Sequence, residues 1–421
     1  MRNVYLDHQS STPVLPEVFD AMKPYFTEAF GNPSSLHQYG LRVRDAMKKA
    51  RQQMAALIHA ESEEEIFFTS DGTESANLAI KGVAYANERK GKHLVVSATE
   101  HPSVIQSVEF LEKQGWTCTR VPVNPEGIIN LDALRAAITP QTVLVALHHV
   151  NHDIGSIQPV VEAGKICAAL AVPLYVDCEA SAGWLPIDVK EFGAALVSFS
   201  PHRFYGPKGV GVLYRNRKAR IVSILHGGVQ EGGRRAGTEN VPAIVGGGEA
   251  AEIALREQPA RAEHTGRLQR RLWEGLRAQI PYIKLNGPEP GPTRVPTNLN
   301  LSTEFIEGEG QLLLCDLNGI AVASGSSCVS KSLKISHVLG AIGLDHALAQ
   351  GNIIMTLGKD NTDEDVDYTV ETFAKIVTKL RGMSPMWDEF QKGVIDSVIA
   401  PTGHGKSFSQ HAAEVSGKAA H

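Results

Sequence analysis

Hydrophobic residues in the first 215 positions fall into short unbroken runs, separated by stretches in which they recur every three or four residues. The runs "EIFFTS" (65–70), "HLVVSA" (93–98), "TVLVALHHV" (142–150), "PLYVDC" (173–178) and "ALVSFS" (195–200) predict strands buried on both faces. Helical spacing between several of them predicts helices near 74–90, 102–114 and 159–171. Such alternation implies an α/β domain with a mainly parallel sheet, helices on both faces, and ligand chemistry at the strands' C-terminal ends. From about residue 250 the pattern changes. A long charged helix is followed by the strand-like "TNLNLS", the helix-like "GEGQLLLCDLNG", a Gly/Ser loop around Cys328 and a last helix near 362–381. These predict a smaller α+β domain. Beyond about 385 the chain is polar and rich in small residues, ending "PTGHGKSFSQHAAEVSGKAAH", and is not expected to pack throughout.

Composition narrows the function classes. With 421 residues, 43% hydrophobic and 21% charged, the chain has ordinary globular make-up and room for more than one core. A net charge of −5 makes no electrostatic case for binding nucleic acid or an anionic membrane. No apolar stretch reaches membrane-span length, and the start "MRNVYLDHQSSTP" has no signal-peptide core. The five cysteines (118, 167, 178, 315 and 328) lack CxxC spacing. They suit a reducing cytoplasm rather than a disulfide framework.

Each predicted strand ends in polar residues that a plain core does not need. Thr73 follows the first at a helix start, where free amides can hold an anion. His101 follows the second. Asn151, His152 and Asp153 follow the third, Asp177, Cys178 and Glu179 the fourth, and Ser200 and His202 the fifth. One such residue is ordinarily a helix cap or a hydrogen-bonded structural group. Five strand ends of this kind point to one shared site. In "SFSPHRFYGPKGVGVLY" (198–214) a cofactor-holding lysine would fit after His202, yet the chain has Arg203 there.

These motifs, in this order, resemble the cysteine desulfurases of the NifS/IscS type, in the class V aminotransferase group of fold-type I pyridoxal-phosphate (PLP) proteins. The likeness runs through "YLDHQSSTP", "GNPSSLHQYG", "FTSDGTESANLAIKG", "TEHPSV", "HVNHDIGSIQP", "VDCEASAG", "GGVQEGGRRAGTENVPAIVG" and "ASGSSCVSKS", over roughly residues 3–380. It implies a large PLP-type domain over 16–255 and a small C-terminal domain over 256–383. Residues 1–15 would join the small domain, and 384–421 would form a polar tail. The resemblance also implies a homodimer, a sulfur-acceptor or iron–sulfur scaffold protein as partner, and PLP as cofactor. By family position, Asp177 would pair with the pyridine nitrogen and His101 would stack on the ring and assist proton transfer. Thr73, Ser200 and His202 would hold the phosphate, with Thr238 donated from the partner subunit. Cys328 would be the mobile-loop nucleophile that carries the persulfide.

The same resemblance exposes four departures. Arg203 stands at the Schiff-base lysine, and a guanidinium stays protonated and cannot add to an aldehyde. Lys208 matches a second lysine that the family already has. Ala180 replaces the glutamine that supports the cofactor's ring oxygen, and His152 replaces an asparagine on the same side. Ile354 replaces the carboxylate-binding arginine, leaving no bidentate partner for an amino acid. A covalent Schiff base is therefore not expected. Four readings stay open: a pseudoenzyme or sulfur relay that uses Cys328; a repurposed pocket in which His101, His152 and Asp177, with Glu179, Cys178 or His202, hold a metal; PLP or another phosphate ligand held non-covalently beside Arg203; and an active PLP-dependent cysteine desulfurase.

Overall fold

The computed structural model describes residues 2–325, 335–401, 403 and 405–407. Its strands in chain order are β1 (Val4–Tyr5), β2 (Ile66–Thr69), β3 (His93–Ser97), β4 (Thr117–Val121), β5 (Thr142–His148), β6 (Leu174–Asp177), β7 (Leu196–Phe199), β8 (Gly211–Arg215), β9 (Ile283–Leu285), β10 (Asn298–Thr303), β11 (Ile320–Ala321) and β12 (Asn352–Thr356). The large sheet has the order β2-β8-β7-β6-β5-β3-β4. Only β8 runs against its neighbours β2 and β7; the other pairings are parallel.

All seven residues of β5 are buried, because both faces of the sheet are covered. Val145, Leu147, Val176 and Val197 point into a core shared with Met47 and Met54 of the helix Gln38–Leu57. Their neighbours Leu144, Ala146, Tyr175 and Leu196 point the other way, onto Leu78 and Ile80 of the helix Gly72–Asn87. This two-sided burial explains why the strands are unbroken apolar runs rather than alternating ones. Strand β4 lies at the sheet edge with a mostly exposed pattern, so it carries no such run. Between β3 and β5 the strand order reverses, which opens a crevice at their C-terminal ends.

The small domain packs the antiparallel sheet β12-β10-β9 against the helix Asp363–Arg381. The helix Val241–Gln279 links the two cores: Ile244 and Ala250 lie in the first, Leu268 and Leu272 in the second, and Pro259 sits between them. Val4 and Leu6 are buried in the second core, and β1 pairs with β11.

Part of the polar C-terminal stretch is packed. Trp387 and Phe390, on the helix Pro385–Gln391, lie against Phe305 and Tyr282. Ser397 Oγ donates to Glu304 at 2.6 Å. Two aromatic side chains suffice to dock a segment whose average composition is polar, and averaging hides them.

Candidate cofactor and active site

Every strand-end residue singled out above sits at the C-terminal edge of the large sheet. Asp177 is the last residue of β6, and its Oδ1 accepts the amide of Glu179 at 2.9 Å. Ser200 follows β7 and is fully buried. His202 and Arg203 lie in the short 3-10 turn Pro201–Arg203. His101 caps the helix Pro102–Glu112, with Nδ1 2.8 Å from Ser103 Oγ. Its ring meets the edge of His152 at a centroid distance of 4.9 Å, and His152 in turn faces His337 at 6.2 Å. Behind them His148 Nδ1 is 2.8 Å from Glu100 Oε1, both side chains being buried.

The anion cradle has a carboxylate in it. The Gly72 amide, at the start of its helix, donates to Ser200 Oγ at 2.7 Å, and Ser200 Oγ donates to Glu179 Oε1 at 3.0 Å. Glu179 lies so close over the helix start that a Cβ on Gly72 would fall 1.6 Å from Oε1. Its other oxygen is 3.7 Å from Arg203 Nε. Burial pushes the carboxyls of both Asp177 and Glu179 upward; for Glu179 the neighbouring Asp177 adds to this and Arg203 opposes it.

One small cavity beside this pair, of about 10 Å³, is bounded by Gln9, Glu179, Ala180, Trp184, Arg203 and Thr297. That is room for about one water. Trp184 is a wall of this cavity, with Nε1 donating to the Arg203 carbonyl at 3.1 Å. Lys208 is exposed and lines a separate cleft with Tyr5, Thr12, Asp360 and Asn361. Thr73 is exposed and shares an open cleft of about 470 Å³ with His101.

In the small domain, Ile354 is a buried strand residue of β12, opposite Asn300 and hydrogen-bonded through its backbone to Ala323. Cys328 lies outside the described residues. Thr238 is exposed. Its segment is anchored by Glu231, which accepts from Arg51 Nη1 and Nη2 at 2.8 and 2.7 Å and from the Phe68 amide at 2.9 Å.

Among the described residues no group of three or more His, Cys, Asp or Glu side chains is placed to hold a metal ion. The structure thus brings His101 and His152 together but does not assemble them with Asp177 as a ligand set. Nor is any helix among those residues long and apolar enough to cross a membrane.

Burial holds the His101 imidazole down to about 4, with Arg203 adding to the effect. His8, His149 and His202 are likewise lowered to about 4, mainly by burial. A folded value below the unfolded one, near 6.5, means each ring takes up a proton on unfolding in between. Stability from these rings is present above pH ~6.5 and declines as the pH falls through the folded value. In a ring-proton NMR titration, these four histidines should show no midpoint between pH 5.5 and 8. A midpoint near 6.5 for His101 would show that its pocket is open to water.

Sequence reasoning missed three parts of the site. His337, whose Nε2 lies 2.8 Å from the Glu100 carbonyl, carries no motif. Gln9 reaches the His152 carbonyl from the N-terminal segment. Trp184 was the most visible of the three, as a large aromatic in the otherwise small-residue run "ASAGW".

The fold and the cradle at the strand ends define a class, and comparison with known proteins gives the same class. The Aminotransferase class-V family matches residues 4–369. The chain belongs to that family, within its cysteine desulfurases of the NifS/IscS type. It is 44% identical over 391 residues to "Cysteine desulfurase IscS" of Clostridium botulinum (strain Hall), covering 93% of this chain and 98% of that protein. It is 46% identical over 384 residues to the protein of the same name from Methanosarcina thermophila, covering 91% and 94%. The solved structure "NIFS-LIKE PROTEIN" superposes with a TM-score of 0.85 at 34% identity, over 90% of this chain and all of that one. Membership implies PLP as the family's cofactor.

Proposed function

We propose that this protein keeps the desulfurase frame but does not desulfurate cysteine by the family's covalent route. It acts in the cytoplasm as a homodimeric sulfur relay or scaffold, passing sulfur through Cys328 to an acceptor or iron–sulfur scaffold protein. The observation that carries this is Arg203: where an amine would be required, a guanidinium lies 3.7 Å from the Glu179 carboxylate. Ala180 and Ile354 support the same reading, since each removes a polar contact that the family makes to cofactor or substrate, and His152 puts an imidazole where the family has an amide. The side chains beside Arg203 do not fit PLP as the family holds it. A carboxylate touches the phosphate-binding serine and stands over the helix start.

Borohydride reduction of the protein incubated with PLP tests the reading. No phosphopyridoxyl group should appear on peptide 198–214, and the dialysed protein should show no visible absorbance band from a bound cofactor. Arg203→Lys alone should restore at most weak capture. Stoichiometric labelling of Lys208 in the wild-type protein would overturn the proposal.

A further inference from the structure

We propose that Glu179 is the resident occupant of this pocket, the side chain that excludes phosphate-bearing ligands by filling their cradle. This deepens the proposed function and rests on its reading of the site. Three features that would stabilise a phosphate converge on one carboxylate of the chain itself. They are a serine hydroxyl at 3.0 Å, the first residue of a sixteen-residue helix, and a guanidinium at 3.7 Å. The contact with the helix start is close: a methyl group on Gly72 would overlap Oε1. The Glu179 backbone is also held in place, because its amide donates to Asp177 Oδ1 at 2.9 Å.

Arg203 then has a role that does not derive from the lysine it replaces. Among the groups acting on the Glu179 carboxyl, burial and Asp177 oppose ionisation, while Arg203 and the Ser200 hydroxyl favour it. The balance leaves the carboxyl raised to about 8, so near neutral pH Glu179 fills the cradle mainly as the neutral acid and becomes the anion of a pair with Arg203 as the pH rises. An incoming phosphate would compete with the carboxylate for Ser200 and the helix start, and would bring like charge within about 4 Å of it. With the carboxyl ionised, like-charge repulsion at that range weakens binding by on the order of 10²-fold or more, and as the neutral acid Glu179 still excludes phosphate by filling the cradle. Changing Arg203 alone leaves this barrier standing.

The test compares the full-length wild-type protein with Glu179→Ala, which empties the cradle, and Glu179→Gln, which keeps its shape and removes the charge. The probes are PLP, inorganic phosphate and pyridoxal, which lacks the phosphate. Binding is read by equilibrium dialysis and by ligand-induced shift in Tm at pH 9, where the Glu179 carboxyl is ionised. Glu179→Ala should bind PLP and inorganic phosphate ~10²-fold more tightly than wild type, and Glu179→Gln ~10-fold, with pyridoxal binding unchanged in both. If Glu179→Ala fails to fold, the Gln variant decides alone. Equal affinity of wild type and a folded variant for PLP and phosphate would overturn the inference, as would an equal gain for pyridoxal. The proposed function fails by a different result, namely cysteine turnover by wild type, so the two outcomes are separable.

Discussion

Supplied with free PLP and L-cysteine, the wild-type protein is expected to release sulfide and alanine no faster than PLP does alone. Two losses fall on the same chemical step. The family's lysine is also the group positioned to move the α-proton, and a guanidinium is not a base. Losing a positioned general base removes a factor of ~10²–10⁴. The substrate carboxylate, for its part, would meet Ile354, a buried apolar residue of β12, in place of a cation. A charge-assisted bidentate pair contributes about 1.5–3 kcal/mol, or roughly 10–100-fold. Together the penalties reach ~10³–10⁶, which consumes most of what a modest enzyme gains over its cofactor. Sulfide release at a steady rate of several turnovers per minute, lost in Cys328→Ala, would sink the proposal of a degenerate site.

The largest effect on stability is expected at Arg294, which is 1% exposed. Its guanidinium donates to the carbonyls of Pro288 and Asn286, and to the carbonyl and side-chain oxygen of Asn298 at 3.2 Å each. Burial lowers its proton affinity to about 9, so the charge is tolerated because these oxygens surround it. Arg294→Ala removes the donors, opens a cavity and leaves buried acceptors unsatisfied. We expect a loss of about 3–5 kcal/mol and a fall in Tm of about 3–6 °C. The damage should extend to the site. Asn298 Nδ2 donates to Gln9 Oε1 and to the Asp153 carbonyl, both at 3.2 Å, and Gln9 holds the His152 backbone. Arg294→Met fills the volume without restoring the donors, so its loss should be smaller but of the same sign. A Tm within 1 °C of wild type for Arg294→Ala would show that water takes over the oxygens.

Much of this molecule was legible before folding, and particular residues explain why. Runs such as "TVLVALHHV" announce strands because burial on both faces demands apolar residues at every position. The amphipathic helix Gln38–Leu57 was overlooked: it buries small residues and methionines, among them Gly40, Ala50 and Met54, so its stripe is muted. Edge strand β4 was overlooked because its residues Thr117, Thr119 and Arg120 face water.

The sequence by itself determined the class of fold, the strand ends that bear the site, and the absence of an amine at position 203. Each of these is a local property: a run of residues, a residue at a turn, a side chain with or without a transferable proton. Only the tertiary structure decided what stands in the cradle. Gly72 and Ser200 are 128 positions apart, and Glu179 is 21 before Ser200. No periodicity relates them. They meet because β2 and β7 are held on either side of β8, which brings the ends of β2 and β7 to one edge beside that of β6, and there a glycine leaves space for a carboxylate. Long-range pairing of strands, rather than any pattern along the chain, brings Glu179 onto a helix start that would otherwise be open to phosphate.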